Sequence, residues 1–213
     1  MGKSTLLQNL SERITPKING HKVAFVPEPV QEWLSTKITE NENLLNAMYS
    51  GTITRTTFQF TVVQSRFFKF FSALIDPNVE IVVVERSPWD EKFIFADTNL
   101  NSVDKNAYNF MFDSMMQFLI HAPPLDIVFL YLKAPRDLLL KRIATRGRSE
   151  EDDIDPAYLD ALESAHGVLL ESAKAGGLNL AKWKPKSIKT STVDATLSAD
   201  ELCNIAAALC END

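Results

Sequence analysis

Short apolar runs alternate along the chain with longer segments of helical periodicity. The strand-like runs lie at 22–26, 81–85 and 127–132, with a weaker, more polar one at 187–193, and the clearest is 81–85, which is β-branched throughout its apolar part. Apolar residues spaced three and four positions apart predict helices over 3–14, 30–35, 41–49, 55–75, 104–121, 135–146, 156–172 and 198–211. This alternation is typical of an α/β fold with a parallel sheet that helices cover on both faces.

The helix predicted over 55–75 is unusually aromatic, and apolar residues occupy most of its circumference. We therefore expect it to be buried on more than one side. Two polar residues, Gln59 and Arg66, lie among its phenylalanines and share a face because they are seven positions apart. Buried polar groups need partners, so a polar ligand on that face would explain both residues.

Composition and charge narrow the functional classes. A length of 213 residues favours a single domain over 1–213. The net charge of −6 argues against binding to nucleic-acid polymers, and the chain has no apolar stretch long enough to cross a membrane.

Cys203 and Cys210 lie too far apart on one predicted helix for a disulfide. Reduced thiols and the lack of a signal peptide predict a cytoplasmic protein.

The first residues of the chain match the second half of a P-loop. Gly2-Lys3-Ser4-Thr5 stands directly before a predicted helix, whose backbone N–H groups can bind phosphate oxygens. In a P-loop, the lysine reaches the β- and γ-phosphates and the serine hydroxyl binds Mg²⁺. On so short a match, a chance occurrence stays open.

A complete P-loop also has a glycine-rich segment and a strand before these residues, whereas here only Met1 precedes Gly2. We expect that the N-terminal strand is missing, which would leave a gap near the middle of the sheet. A lost segment of this kind could also have carried a mitochondrial transit peptide. The alternative is that Met1 is the genuine start and that nucleotide binding is impaired.

A second group of candidate phosphate-binding cations lies beyond the middle of the chain, at Arg142, Arg146 and Arg148. Arginine offers several fixed donors that suit phosphate oxygens, and a segment bearing three of them can close over a triphosphate as a lid. An exposed helix end, where cations interact favourably with the helix dipole, explains the same pattern equally well.

Acidic residues stand at the ends of two predicted strands, where ligands bind in open α/β sheets. Glu28 follows the first strand, and Glu85-Arg86 ends the second. A carboxylate at this place can accept a proton from a hydroxyl that attacks a phosphate. Arg86 can hold that hydroxyl and stabilise the developing charge. A purely structural ion pair is the competing interpretation.

Taken together, these segments resemble the deoxynucleoside kinase family, which contains deoxycytidine, deoxyguanosine and mitochondrial-type thymidine kinases. The resemblance covers nearly the whole chain, and the segments that carry it are 2–5, 28–33, 43–49, 58–59, 85–87, 146–151 and 158–159. It implies a P-loop kinase fold with an arginine-bearing lid. It also implies Mg²⁺ with ATP as the phosphate donor, a deoxynucleoside as the acceptor, and a homodimer.

The resemblance also implies roles for residues around the transferred phosphate. Glu28 corresponds to the general base that takes the proton of the sugar 5′-hydroxyl. Arg86 and Arg148 correspond to arginines near that hydroxyl and the phosphate, and Glu85 to the carboxylate that holds Mg²⁺ together with Ser4.

Further roles concern the nucleoside. By resemblance, Tyr49 and Glu151 bind the 3′-hydroxyl, and Gln59 pairs with the polar edge of the base. The remaining residues of the implied base pocket are Trp33, Leu45, Met48, Phe58 and Phe95.

The pair formed by Arg66 and Glu91 bears on the choice of base. Family members that prefer thymidine have apolar residues there, whereas those that prefer deoxycytidine or purines carry an arginine and an aspartate. The resemblance therefore implies that thymidine is a poor substrate, although glutamate is longer than aspartate. The predicted helices 55–75 and 104–121 are the candidates for a dimer interface.

Two other functions are compatible with parts of this pattern. A nucleoside monophosphate kinase shares the P-loop and the lid, but Glu28 would repel the phosphate of its acceptor. A non-catalytic subunit with the same fold would account for the incomplete P-loop, but such a subunit has no need for Glu28, Arg86, Arg148 and Glu151.

Overall fold

The computed structural model describes residues 2–13, 17–18, 20–146, 155–176 and 184–211. Its strands are β1 Lys17–Ile18, β2 His21–Val26, β3 Ile81–Val84, β4 Asp126–Lys133 and β5 Ser187–Asp194. Its helices are α1 Lys3–Arg13, α2 Val30–Ser35, α3 Leu44–Tyr49, α4 Arg55–Leu74, α5 Pro88–Asp90, α6 Asp97–Asn99, α7 Ser102–Met116, α8 Arg136–Arg146, α9 Pro156–Lys174 and α10 Ala199–Glu211. A π-helical turn, Glu91–Ala96, joins α5 to α6, and a 3₁₀ turn, Gln117–His121, follows α7.

The strands form two groups that lie side by side. β2 pairs in parallel with β3, from Val23 opposite Ile81 to Val26 opposite Val84, and the short β1 adds an antiparallel edge to β2. β4 and β5 form a second parallel pair over their full length. In the described part of the chain, β3 pairs with β2 alone and β4 with β5 alone, so each keeps one edge without a strand partner.

The same layers of helices cover both groups of strands. On one face, α1 and α10 pack over side chains from β2, β4 and β5, among them Phe25, Leu130 and Val193. On the other face, α4, α7, α9 and the helical segment from α5 to α6 pack over β3 and β4, for example over Val82 and Phe129. The two free edges therefore face each other across a space inside one continuous fold, and we call this space the strand slot.

The secondary structure follows the sequence pattern closely. Every predicted helix and strand is present, and the α/β class is confirmed. α3 begins at Leu44 rather than near 41, because the Asn43 side chain caps it by accepting a hydrogen bond from the Asn46 backbone. Cys203 and Cys210 both lie in α10 as reduced thiols. None of the described helices is long and apolar enough to cross a membrane.

Candidate active site

A cavity of about 1890 Å³ opens at the carboxyl ends of β2 and β3 and continues into the strand slot. That continuation makes it larger than the roughly 300–1,000 Å³ of an ordinary ligand pocket. Most of the residues that the sequence predicted for the site line it: Gly2, Lys3, Ser4, Thr5, Glu28, Trp33, Leu45, Met48, Tyr49, Phe58, Gln59, Arg66, Glu85, Arg86, Glu91 and Phe95.

The amino-terminal end of α1 forms one wall of the cavity. Gly2 has a φ of 90°, which only glycine adopts readily, and its carbonyl accepts the Leu6 amide at 2.8 Å. A Cβ atom at this position would lie 3.5 Å from Nη1 of Arg142. Arg142 donates from Nη2 to the Ala195 carbonyl at 3.0 Å. One of the predicted lid arginines therefore lies beside the P-loop residues.

Three of the predicted positions cannot be compared with the structure. The side chain of Arg146, at the end of α8, and the whole of Arg148 and Glu151 lie outside the described residues. Their roles stay predictions.

An oxygen pair links α1 to the end of β3. The Ser4 hydroxyl donates to Oε1 of Glu85 at 2.6 Å, and Glu85 is buried. A hydroxyl and a carboxylate oxygen at this separation suit Mg²⁺, which binds proteins through one or two such groups and takes its other ligands from phosphates and water. The chemistry of these two residues therefore fits the predicted ion.

Glu28 lies between two arginines at the centre of the site. Nη1 of Arg86 is 3.0 Å from Oε1 of Glu28, and Nη2 of Arg66 contacts the same oxygen. Burial alone would raise the pKa of Glu28, but Arg86 and then Arg66 outweigh it and hold the pKa at about 2. The carboxylate is therefore ionised throughout the neutral range.

Arg86 reaches Glu28 from an unusual backbone conformation. Its φ is 62°, in the left-handed region that residues other than glycine rarely adopt. Its guanidinium lies 4.6 Å above the ring of Phe95, which fixes its direction. Such strain, worth about 1–3 kcal/mol, persists where the surrounding structure enforces it and is concentrated at functional sites.

Two positively charged side chains, Lys3 and Arg86, lie close together beside Glu28. The proximity of Arg86, together with burial, lowers the pKa of Lys3 to about 8. A phosphate group between these two cations would replace their mutual repulsion by attraction. The electrostatics therefore favour an anion at this point of the cavity.

The aromatic face of α4 forms the opposite wall. Gln59 and Arg66 are both buried there, as their spacing predicts. Trp33 is anchored through a 2.9 Å hydrogen bond from its Nε1 to Ser65, and it meets Phe58 edge to face with ring centroids 6.4 Å apart. Oε1 of Gln59 has no hydrogen-bond partner in the described structure. This wall therefore combines aromatic surface with a buried, unsatisfied amide oxygen, which suits a flat ligand with a polar edge.

Arg66 also contacts Glu91, at the start of the π-helical turn. Its Nε lies 2.9 Å from Oε1 of Glu91, but the N–H does not point at that oxygen, so the contact is one of charge only. Glu91 is only 2% exposed, and burial raises its pKa. The buried hydroxyl of Tyr108 likewise has no partner among the described residues.

His166 is among the titratable residues that line the cavity and that the sequence did not single out. It lies in α9, with its ring stacked 4.9 Å from that of Tyr131 and its Nδ1 2.6 Å from the Leu162 carbonyl. Burial lowers its pKa, so the ring is neutral near pH 7. The signal available in the sequence was its helical spacing of four and seven from Leu162 and Leu159, which also line the cavity.

Similarity to known proteins extends over nearly the whole chain. A family model described as deoxynucleoside kinase matches residues 1–205. A fowlpox virus protein named as a probable deoxycytidine kinase is 30% identical over 174 residues, or 78% of this chain and 65% of the viral protein. Human deoxycytidine kinase is 27% identical over 164 residues, or 66% of this chain and 62% of the human protein.

A mitochondrial deoxyguanosine kinase from Xenopus laevis is 27% identical over 186 residues, or 78% of this chain and 68% of its own length. Deoxyadenosine kinase from M. mycoides, solved with bound dATP, superposes with a TM-score of 0.64 at 20% identity, over 99% of this chain and 94% of that one. The structural likeness establishes the fold. The chain spans less than two thirds of the fowlpox and human relatives.

Proposed function

The chain belongs to the deoxynucleoside kinase family, and from this premise we propose that it transfers the γ-phosphate of ATP to the 5′-hydroxyl of a deoxynucleoside. The observation that carries the proposal is the position of Glu28. Its ionised carboxylate lies between Arg86 and Arg66, with Lys3 and Ser4 on one side of the cavity and the aromatic face of α4 on the other. A phosphate donor and a planar base can thus approach the same carboxylate from two sides.

The proposed reaction is an in-line displacement. Glu28 accepts the proton of the 5′-hydroxyl as its oxygen bonds to the γ-phosphorus, while the bond from that phosphorus to the β–γ bridging oxygen breaks and ADP leaves. Arg86 and Lys3 stabilise negative charge on the transferred group. When bound, Mg²⁺ neutralises charge on the β- and γ-phosphates, and Ser4 and Glu85 are the residues that would hold it.

The other predicted roles complete the proposal. We propose that Thr5, which lines the cavity, and Arg142, which lies beside Gly2, contact phosphate oxygens of the donor together with Arg146 and Arg148. We place Tyr49, which lines the cavity, at the sugar 3′-hydroxyl together with Glu151.

We further propose that the base is cytosine or a purine rather than thymine. Gln59, Arg66 and Glu91 give the end of the pocket a donor and acceptor edge that is buried. A cytosine or purine amino group can satisfy these groups, whereas the thymine methyl would leave them desolvated and without partners.

Phosphate transfer from ATP–Mg²⁺ to deoxycytidine, deoxyadenosine, deoxyguanosine and thymidine tests both statements. We expect deoxycytidine or a purine nucleoside to exceed thymidine in kcat/KM by at least about tenfold. Equal or faster turnover of thymidine would refute the preference but not the kinase. Deoxycytidine monophosphate and deoxyadenosine monophosphate serve as control acceptors, and turnover of these alone would identify a nucleoside monophosphate kinase instead.

We also propose that the protein is a homodimer that pairs α4 and α7. Large apolar side chains stay exposed on these helices and on the 3₁₀ turn that follows α7, namely Phe68, Val103, Phe110, Phe118 and Ile120. Apolar side chains gathered on neighbouring elements in this way are typical of an interaction surface.

Phe110→Glu is therefore expected to convert the dimer to a monomer, because it places a charge on a residue that is 78% exposed in the monomer and buried in the proposed interface. Light scattering during gel filtration measures the change as a halved mass. Val168→Glu is the matched control, since Val168 is 67% exposed but lies on α9. An unchanged mass for Phe110→Glu, or a halved mass for both variants, would place the interface elsewhere.

A further inference from the structure

Arg66 contacts three acceptors that belong to different parts of the site. Nη2 contacts the Glu28 carboxylate, Nη1 donates to the Glu85 carbonyl at 3.3 Å, and Nε lies 2.9 Å from Glu91. The side chain is only 3% exposed, and its guanidinium lies 5.0 Å from the centre of the Trp33 ring. One side chain thus joins the base pocket to the carboxylate proposed as general base.

At one end of the Arg66 guanidinium the N–H groups have a charged partner, whereas at the other end a donor remains without a hydrogen-bond partner. At the Glu28 end, the interaction is a direct ion pair. At the pocket end, the Nε–H does not point at Glu91, and the amide oxygen of Gln59 on the same face of α4 has no partner. The donor and the acceptor that remain unsatisfied are therefore buried on the pocket side of the guanidinium, where a shift of Arg66 toward a bound base would give them partners.

The two ion pairs of Glu28 make its carboxylate a weaker base. Arg66 and Arg86 both act on the same oxygen, and together they hold the pKa of Glu28 at about 2. A general base works best when its pKa lies near the operating pH. Weakening one of the two ion pairs therefore strengthens Glu28 as a base, and Arg86 is the arginine that the reaction itself needs.

We infer that Arg66 is a positioning residue that couples recognition of the base to the release of Glu28. A base whose polar edge engages Gln59 and Arg66 draws the guanidinium toward Glu91 and away from Glu28, so that the carboxylate is left with Arg86 alone. A sugar that brings no base leaves Arg66 on Glu28, and its hydroxyl meets a weaker base. This inference rests on the proposed kinase function and deepens it.

The test compares two acceptors in the full chain with ATP–Mg²⁺. One is deoxycytidine, and the other is 1,2-dideoxyribose, which has the sugar hydroxyls and no base. Arg66→Met removes the contact with Glu28. We expect its kcat/KM for 1,2-dideoxyribose to rise at least about threefold above that of the wild type, while its kcat/KM for deoxycytidine falls.

A merely structural role of Arg66 predicts that both values fall, and this result would overturn the inference. Glu91→Gln is the comparison variant, because it leaves Arg66 on Glu28. It is expected to lower kcat/KM for deoxycytidine without raising that for the sugar, and a rise for the sugar would contradict the coupling.

Circular dichroism establishes that each variant is folded, and Arg66→Gln, which retains polar contacts, replaces the methionine variant if that one unfolds. Different results would refute the coupling and the proposed kinase function. A wild type that phosphorylates deoxycytidine, combined with a fall for both acceptors in the Arg66 variants, refutes the coupling alone. A wild type that phosphorylates no deoxynucleoside refutes the proposed function, and the coupling with it.

Discussion

Glu28→Gln is expected to lower kcat for deoxynucleoside phosphorylation by about 10²- to 10⁴-fold, the usual contribution of a positioned general base. Glutamine keeps the size and shape of the side chain but cannot take the 5′-hydroxyl proton. Because Glu28 is not one of the residues that contact the base, the affinity for deoxycytidine should change by no more than a few-fold. The measurements are steady-state kcat with ATP–Mg²⁺ and a calorimetric titration with deoxycytidine.

Glu32→Gln is the matched control for this variant. Glu32 lies four residues further along the chain, in α2, and its exposed carboxylate pairs with Lys69 outside the cavity. It undergoes the same chemical change, and we expect its kcat to stay within about twofold of the wild type, since exposed ion pairs contribute little. If Glu28→Gln turns over as fast as Glu32→Gln, another group accepts the proton. A non-catalytic subunit with this fold would show no turnover to lose.

The stability of Glu28→Gln has to be measured beside its activity. The pKa of Glu28 is lowered to about 2 in the folded state, so the ionised carboxylate stabilises the fold above its unfolded pKa and loses this effect as the pH falls toward 2. The glutamine variant lacks this contribution at neutral pH. A modest decrease in its thermal midpoint is therefore expected, and the kinetic comparison is made well below that temperature.

The sequence could predict those parts of the molecule that depend on local pattern. The apolar periodicity located every major helix and strand, and the spacing of Gln59 and Arg66 located the buried polar face of α4. The helical segment from α5 to α6 was missed, because its π-helical turn, Glu91–Ala96, interrupts the spacing of an α-helix. The Ser87 capping box at its start was the available signal.

Contacts between distant elements were harder to predict. The resemblance paired Arg66 with Glu91, and the structure shows that Arg66 also contacts Glu28. Thirty-eight positions separate these two residues, and their contact depends on how α4 packs against the end of β2. No periodicity in a single segment carries that information. The left-handed conformation of Arg86 is likewise imposed by its surroundings, since nothing in its side chain favours it.

The strand slot yields the prediction with the largest effect on stability. β3 is apolar throughout and β4 is apolar between its charged end residues, Asp126 and Lys133, as strands covered on two faces should be. The side chains of these apolar positions are nevertheless only partly buried. The reason is the open space between their facing edges, which the cavity occupies. Since helices cover both faces of this space, a strand within it would meet apolar side chains above and below, and backbone groups on both sides.

Joining five valine or isoleucine residues and a five-residue glycine-rich loop to Gly2 is therefore expected to stabilise the protein. Each added side chain contributes about 1.5–3 kcal/mol by burial, against about 1–2 kcal/mol for ordering its backbone. Each new ladder hydrogen bond adds about 0.5–1.5 kcal/mol. At mid-range values the burial and ladder gains exceed the cost of ordering the five strand residues and the five loop residues, so we expect the free energy of unfolding in urea to rise.

Hydrogen exchange locates the effect. If the added strand enters the slot, the backbone amides of β3 and β4 that face it become protected, whereas those of the exposed helix ends do not change. The matched control carries the same loop but has aspartate at two of the five strand positions, since a charge buried between two apolar layers prevents insertion. Equal stability and equal protection in the two extended proteins would show that the slot does not accept a strand. Protection of β3 and β4 in the apolar version alone would show that the sheet is completed at its centre, directly before the P-loop residues that begin α1.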